Sequence, residues 1–195
     1  MKIGIDLDGV VIDSEATFRV YEEIFAIENL NKKIINREEP KYQGRYDWTS
    51  EEQHEFNQKY LLKAAQESNL MPGFLAVYDR IKKFGFEIVV ITARGGFVKE
   101  MKDDAIRLLE KNNIVFDKYY WNVDDKLEIC RKEKIDLMID DDHKIIKQLS
   151  DEHIKTLYFR DTNLKKVDET EYIHEVNNWG DIYRYFVELE KQNTN

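Results

Sequence analysis

The stretch Lys2-Ile3-Gly4-Ile5-Asp6-Leu7-Asp8-Gly9-Val10-Val11 governs the reading of the whole chain. An apolar, strand-forming run ends in two aspartates two positions apart, followed by a glycine and more apolar residues. Carboxylates crowded at a strand end repel one another, and taking them out of water without partners is costly, so something must compensate. A bound divalent cation is the natural candidate. Residues i and i+2 of a strand face the same side, so Asp6 and Asp8 point at one spot if the strand persists to Asp8. Gly9 frees the backbone to turn sharply and lets a ligand approach it closely. The plainer alternative is an acidic strand terminus whose aspartates cap the following turn.

Downstream, the sequence alternates between strand and helix periodicity. Phe86-Glu87-Ile88-Val89-Val90-Ile91 is a nearly continuous β-branched run, as in a strand buried on both faces. Further strands are expected at 115–120, 135–139 and 154–159. Helices are expected at 97–112, at 125–132 and from His143, with a final one over 181–191 that presents Ile182, Tyr185, Phe186 and Leu189 on one face. Pro72 suits the first turn of a helix running through Lys83. This rhythm predicts an α/β fold with a mostly parallel sheet and helices on both faces, whose ligands bind beyond the carboxyl ends of the strands.

The segment from Asp13 to Pro72 interrupts the alternation. Phe18, Tyr21, Ile24 and Phe25 recur at helical spacing, an irregular stretch with Pro40 and Gly44 follows, and a second helix is expected from Thr49 or Ser50 to about Glu67. Thr49 with Glu52 and Ser50 with Gln53 both match the capping-box spacing. The expected domains are thus a core of 1–13 with 72–195 and a small helical cap, 14–71, inserted after the first strand.

Composition bounds the function. The 195 residues are 42% hydrophobic and 35% charged, as in a globular protein. A net charge of −9 argues against a nucleic-acid polymer or an anionic membrane as partner. The single cysteine, Cys130, cannot form an intrachain disulfide and reads as a packed thiol, which suits a reducing cytoplasm. Neither a basic-then-apolar amino terminus nor a run of about 18 apolar residues is present, so a soluble, unexported protein is expected.

Three strand ends carry polar groups to one edge: Asp6 and Asp8, then Thr92-Ala93-Arg94-Gly95-Gly96, then Asp140-Asp141-Asp142. Acids from two strands can hold Mg²⁺, with a phosphate completing its shell. The Thr92–Gly96 turn is expected to open a helix whose free amides favour phosphate. Lys126 can reach the same edge and neutralise a phosphate or a phosphorylated aspartate, or else be a solvated surface lysine. Arg94 is open between a substrate contact and an ion pair with a core carboxylate. His54, His143, His153 and His174 show no metal-ligand spacing and read as surface or packing residues. Tyr42, Tyr46, Trp48, Phe56 and Tyr60 can stack a nucleobase or form the insert's own core. Arg37, Lys41 and Arg45 can meet an anionic substrate or be solvated.

Asp6-Leu7-Asp8-Gly9-Val10, Thr92, Lys126 and Asp140-Asp141 resemble, in order, the four motifs of the haloacid dehalogenase superfamily, covering residue 2 to about 160. The Ile139-Asp140-Asp141 form and the helical insert look closest to its 5′-nucleotidase and deoxyribonucleotidase-like branch. The resemblance implies a Rossmann-like three-layer α/β/α sandwich and a Mg²⁺-dependent phosphomonoester hydrolase working through an aspartyl-phosphate, here on a small phosphorylated substrate such as a nucleoside monophosphate. By the same resemblance Asp6 is the nucleophile, and Asp8 protonates the leaving oxygen and then activates water. Thr92 binds a phosphoryl oxygen, and Lys126 holds nucleophile and phosphate. Asp140 and Asp141 position the metal with the Asp6 carboxylate and the Asp8 carbonyl, while Leu7, Ala93 and Arg94 line the substrate. Asp142 leaves open which two of three consecutive acids serve the metal. Alternatives are transfer to an acceptor other than water, a receiver-like signalling domain and a catalytically silent phospho-ligand binder. A receiver gives no reason for the insert or for a second acid two residues after the first.

Overall fold

The computed structural model describes residues 1–161 and 163–194, with the side chains of Asn193 and Thr194 left aside. Its strands are β1 (Lys2–Ile5), β2 (Ile12–Asp13), β3 (Asn69–Leu70), β4 (Glu87–Ile91), β5 (Lys118–Tyr120), β6 (Leu137–Asp140), β7 (Lys155–Phe159) and β8 (Ile173–Val176). Its helices are α1 (Ser14–Phe25), α2 (Tyr42–Arg45), α3 (Ser50–Phe56), α4 (Leu62–Glu67), α5 (Phe74–Ile81), α6 (Glu100–Lys111), α7 (Lys126–Glu133), α8 (His143–Asp151) and α9 (Trp179–Thr194).

The main sheet has six strands in the order β5-β4-β1-β6-β7-β8, all parallel, with β1 paired to β4 and β6. Strands buried on both faces need apolar side chains in every register, and the continuous run in β4 provides them. Ile88 and Val90 pack with Phe74, Val77, Ala105, Leu109, Ile182 and Phe186, so α5, α6 and α9 cover one face. Val89 and Ile91 pack with Leu127, Cys130, Met138 and Leu149, so α7 and α8 cover the other. The result is a three-layer α/β/α sandwich. Trp179 donates from Nε1 to the Val10 carbonyl at 2.8 Å, docking α9 beneath the turn that follows β1. Burial pushes the Cys130 thiol up to about 12, as befits a packed thiol.

Four local departures from the sequence reading have physical causes. Gly73 precedes α5 at φ +82°, a conformation no helical residue adopts, so Pro72 stands before that helix instead of in its first turn. Val115 hydrogen-bonds the Tyr78 hydroxyl through both its N–H and its carbonyl, at 2.8 and 2.6 Å, which keeps it out of the sheet and shortens β5. The turn after β4 does not open a helix, because α6 begins only at Glu100. The sixth strand, β8, is an edge strand in which exposed His174 follows buried Ile173 and half-buried Glu175 precedes buried Val176, so it shows no clean alternation.

The insert has its own apolar centre. The first helix continues through a wide turn over Ala26–Leu30, and α3 continues through Asn57–Leu61 into α4. Thr49 supplies the capping box, with Thr49 Oγ1 accepting from Glu52 N–H and Glu52 Oε2 accepting from Thr49 N–H at 2.7 Å. Phe25, Tyr46, Trp48 and Phe56 are buried together with Tyr60 and Tyr42 packed on them, so these aromatics serve the insert's core. The chain enters and leaves the insert through β2 and β3, which pair antiparallel. Among the described residues, no helix is long and apolar enough to cross a membrane.

At the far end of the sheet, Glu133 accepts from Lys118 Nζ at 2.6 Å, from Lys2 Nζ at 3.3 Å and from the Tyr120 hydroxyl. The Lys118 ammonium and the Tyr120 hydroxyl hold its carboxyl down to about 2, against the effect of burial. A depressed folded-state pKa contributes stability that is present above the ordinary value of 4.5 and lost as the pH falls toward 2. Glu133→Gln is therefore expected to flatten the acid limb of stability over that window. Urea melts at stepped pH check this, and an unchanged slope refutes it.

Candidate active site

Although β1 ends at Ile5, Asp6 N–H still donates to the Ile139 carbonyl at 3.0 Å, so Asp6 stays beside β6. A tight turn follows, in which the Leu7 carbonyl accepts from Val11 and Ile12 N–H at 2.9 and 2.8 Å. Gly9 adopts φ +74°, and a Cβ there would fall 1.9 Å from Asp141 Oδ2. Glycine is thus required twice over, for its backbone conformation and for the acid that lies against it.

Asp6 and Asp8 both line the same cavity but engage different cations. Asp6 is 7% exposed, and its Oδ2 lies 3.0 Å from Lys126 Nζ. Its Oδ1 is buried without a hydrogen-bond partner. Lys126 also donates to Asp140 Oδ2 at 2.7 Å, while Asp140 Oδ1 accepts from Asp142 N–H at 2.9 Å. Asp125 caps α7 by accepting from Leu127 and Glu128 N–H, which sets Lys126 at the first helical position, turned inward. Asp6, Asp140 and Asp141 each bring a carboxylate oxygen within 4.8 Å of the others.

The electrostatics follow from this crowding. Burial pushes Asp6 up, Lys126 opposes it, and Asp140 and Asp8 add to the rise. Burial also raises Asp141 well above the ordinary carboxylate range, with Asp140, Asp6 and Glu15 adding to it. For Lys126 burial favours the neutral form, but the Asp140 and Asp6 carboxylates outweigh it and raise the ammonium pKa. An orphaned buried oxygen beside two further carboxylates is a donor set suited to a hard cation.

Asp8 turns instead to Arg94, which donates from Nε to Oδ2 at 3.1 Å and from Nη2 to Oδ1 at 2.5 Å. Burial alone would raise Asp8, but the guanidinium outweighs it and holds the carboxyl below its usual range. Of the two readings for Arg94, the ion pair with a core carboxylate is the one observed. Thr92 is buried and accepts from Arg94 N–H at 3.2 Å through Oγ1. Ala93 lines the cavity, whereas the Leu7 side chain is buried in the apolar core and Asp140 stands behind the cavity wall, fully buried. Asp142 caps α8 by accepting from Lys144 N–H at 2.9 Å and pairs with Lys41 at 3.2 Å, so Asp140 and Asp141 are the two of the three acids that meet Asp6.

The cavity, about 350 Å³, lies between this sheet edge and the insert. The insert contributes Glu15, Phe18, Glu22, Tyr42, Arg45 and Leu61 to its lining. Arg45 is not solvated: it is 1% exposed and donates to Glu22 Oε2 and Oε1 at 2.8 and 2.6 Å and to Glu15 Oε1. Arg19 Nε also donates to Glu15 Oε1, at 2.7 Å. This quartet, with Glu15, Glu22 and Arg45 buried and Arg19 half-buried, escaped the sequence reading. The available signal was two glutamates seven apart on the inward face of α1, but their partner sits in an irregular stretch with no periodicity to mark it. Arg37, in contrast, is exposed. Of the histidines, His54, His153 and His174 are exposed and His143 is half-buried, outside the acidic cluster.

No protein-family model matches the chain, and no curated protein does. Solved structures do. A haloacid dehalogenase-like hydrolase from Streptococcus pneumoniae superposes with a TM-score of 0.68 at 16% identity, over 95% of this chain and 97% of that one. A predicted phosphatase from Clostridium acetobutylicum gives 0.67 at 17% identity over 96% and 98%, and a β-phosphoglucomutase from Clostridium difficile gives 0.62 at 17% over 99% and 98%. At these identities the likeness shows the fold, the haloacid dehalogenase-like α/β sandwich.

Proposed function

We propose that the protein is a Mg²⁺-dependent phosphomonoester hydrolase working through an aspartyl-phosphate on Asp6. The observation that carries this reading is the state of Asp6: a buried carboxylate lining a cavity, one oxygen on Lys126 and the other without a partner, beside Asp140 and Asp141. Asp6, Asp140 and Asp141 would hold the metal, with the Asp8 carbonyl as a further expected ligand. When bound, the ion supplies the positive charge that lets a phosphate approach these acids.

Asp6 attacks phosphorus, the bond from phosphorus to the alcohol oxygen breaks, and that oxygen takes a proton from Asp8. Asp8 then takes a proton from water, whose oxygen attacks the phosphorus and expels Asp6, releasing inorganic phosphate. Lys126 remains on Asp6 and offsets its charge, and the Thr92 hydroxyl and Ala93 face the phosphoryl group. Arg94 keeps Asp8 ionised and aimed into the cavity, which favours its action as base in the second step. Its action as acid requires a proton first, so leaving groups that need little protonation should react most readily.

The substrate we propose is a nucleoside monophosphate. Its support is a cavity of a size that suits a small ligand, with Phe18, Tyr42 and Phe97 among its lining residues. Tyr46, Trp48, Phe56 and Tyr60 belong to the insert's core. The phosphatase and hydrolase descriptions of the structural neighbours support the reaction class, and the phosphoglucomutase among them keeps phosphoryl transfer to a sugar hydroxyl as a second reading.

Metal removal tests the proposal. Protein stripped with EDTA is expected to release no phosphate from an aryl phosphate, and Mg²⁺ to restore release. Calorimetry should show Mg²⁺ binding to the native protein and little to Asp141→Asn. Full turnover by metal-free protein would refute the metal's role, and absence of turnover under every metal would favour the signalling or silent-binder alternatives.

A further inference from the structure

We infer that this cavity selects phosphomonoesters whose alcohol portion carries no negative charge, and turns away those bearing a carboxylate or a second phosphate. The inference rests on the phosphatase reading above and concerns the wall opposite Asp6.

Binding a second anion requires a cation free to receive it. Among the described residues lining the cavity, the cations are Lys41, Arg45, Arg94 and Lys126, and each already holds a carboxylate. Lys126 lies between Asp6 and Asp140, and Arg94 is forked onto Asp8. Both serve the phosphoryl end.

At the insert wall Arg45 is the group a second anion would seek. Its Nε and Nη2 are on Glu22, and its Nη1 serves Glu15 and the Glu39 carbonyl, the latter at 3.0 Å. With Arg19 on Glu15, two glutamates and two arginines balance, so the wall presents no net positive charge. An incoming carboxylate or phosphate would have to break a buried ion pair, leaving a glutamate without its partner in a desolvated place. It would also face the repulsion of Glu15 and Glu22, and like-charge contact of this kind excludes partners effectively. Lys41 is the exposed exception. Turning it toward a ligand would unmask Asp142, which also lines the cavity. A neutral alcohol portion meets none of these obstacles and can lie against Phe18, Tyr42 and Leu61.

The test compares matched esters on the purified Mg²⁺-loaded protein. The pairs are 2-hydroxyethyl phosphate against phosphoglycolate, and a nucleoside 5′-monophosphate against the corresponding 3′,5′-bisphosphate. The neutral member of each pair should have a kcat/KM higher by at least about 100-fold, the scale of a buried ion pair broken to admit the second anion. Glu22→Gln removes one of the two opposing charges and leaves Arg45 partly uncovered, so it should narrow that ratio to about 10-fold. Equal or better turnover of the doubly anionic members would overturn the inference and leave the phosphatase reading intact. A folded Glu22→Gln protein with an unchanged ratio would overturn the role given to the Arg45 quartet. Protein that hydrolyses no member of either pair would overturn the phosphatase reading, and the inference with it. The wild-type ratio decides the matter even where the variant fails to fold.

Discussion

Asp6→Asn protein is expected to lose turnover by a factor on the order of 10⁶, the scale on which removal of a covalent nucleophile acts, while keeping its fold. The amide nearly matches the carboxylate in shape but cannot attack phosphorus. The fold should not suffer, because Asp6, Asp140 and Asp141 crowd one another and burial already disfavours the ionised forms of Asp6 and Asp141. Removing one of these charges relieves repulsion, so metal-free Asp6→Asn should melt at or above the wild-type temperature, as often happens where a site holds destabilising charge for function. Phosphate release and thermal melts, run on the same preparation, check both halves. Near-normal turnover would remove Asp6 from the nucleophile's place.

Lys126→Met is expected to act in the opposite direction on stability. Lys126 is the buried cation between Asp6 and Asp140, and deleting one partner of a buried ionic cluster typically costs about 3–5 kcal/mol. For a domain of this size that is on the order of 10 °C in Tm. Adding Asp140→Asn removes one of the stranded carboxylates, so the double variant should recover part of the loss without recovering turnover, since the charge on the phosphoryl group stays unbalanced. A single variant that melts with the wild type would mean that Asp6 and Asp140 are compensated by something other than Lys126.

The regular part of the fold was legible because its causes are local. The nearly continuous apolar run of β4, the Thr49–Glu52 capping box and the helical pattern from Thr49 to Glu67 each declare themselves within a few residues. The acidic strand ends were legible because β1 and β6 are adjacent and parallel, so Asp6 and Asp140 arrive at one edge. What the sequence could not declare depends on contacts between distant residues. Arg94 and Asp8 are 86 positions apart, and nothing local tells whether that guanidinium meets a carboxylate or a substrate. Arg45 reads as one more charged loop residue until α1 brings Glu15 and Glu22 to it. The late start of α6 and the sixth strand were obscured for a related reason, since an edge strand and a turn take their form from neighbours instead of from their own periodicity.

The pairing of β2 with β3 also bears on how such a protein can change over time. Ile12 sits opposite Leu70 and Asp13 opposite Asn69, so the chain leaves the sandwich and returns to it at the same place. Everything between those two crossings is a detour whose length and content the sheet does not register, because neither β1 nor α5 must move when the detour grows, shrinks or is exchanged. The insert supplies one wall of the cavity, and the sandwich supplies the acids and Lys126. On the function proposed above, preference and chemistry are thereby written in separable parts of one chain, so the first can be rewritten while the second is left alone.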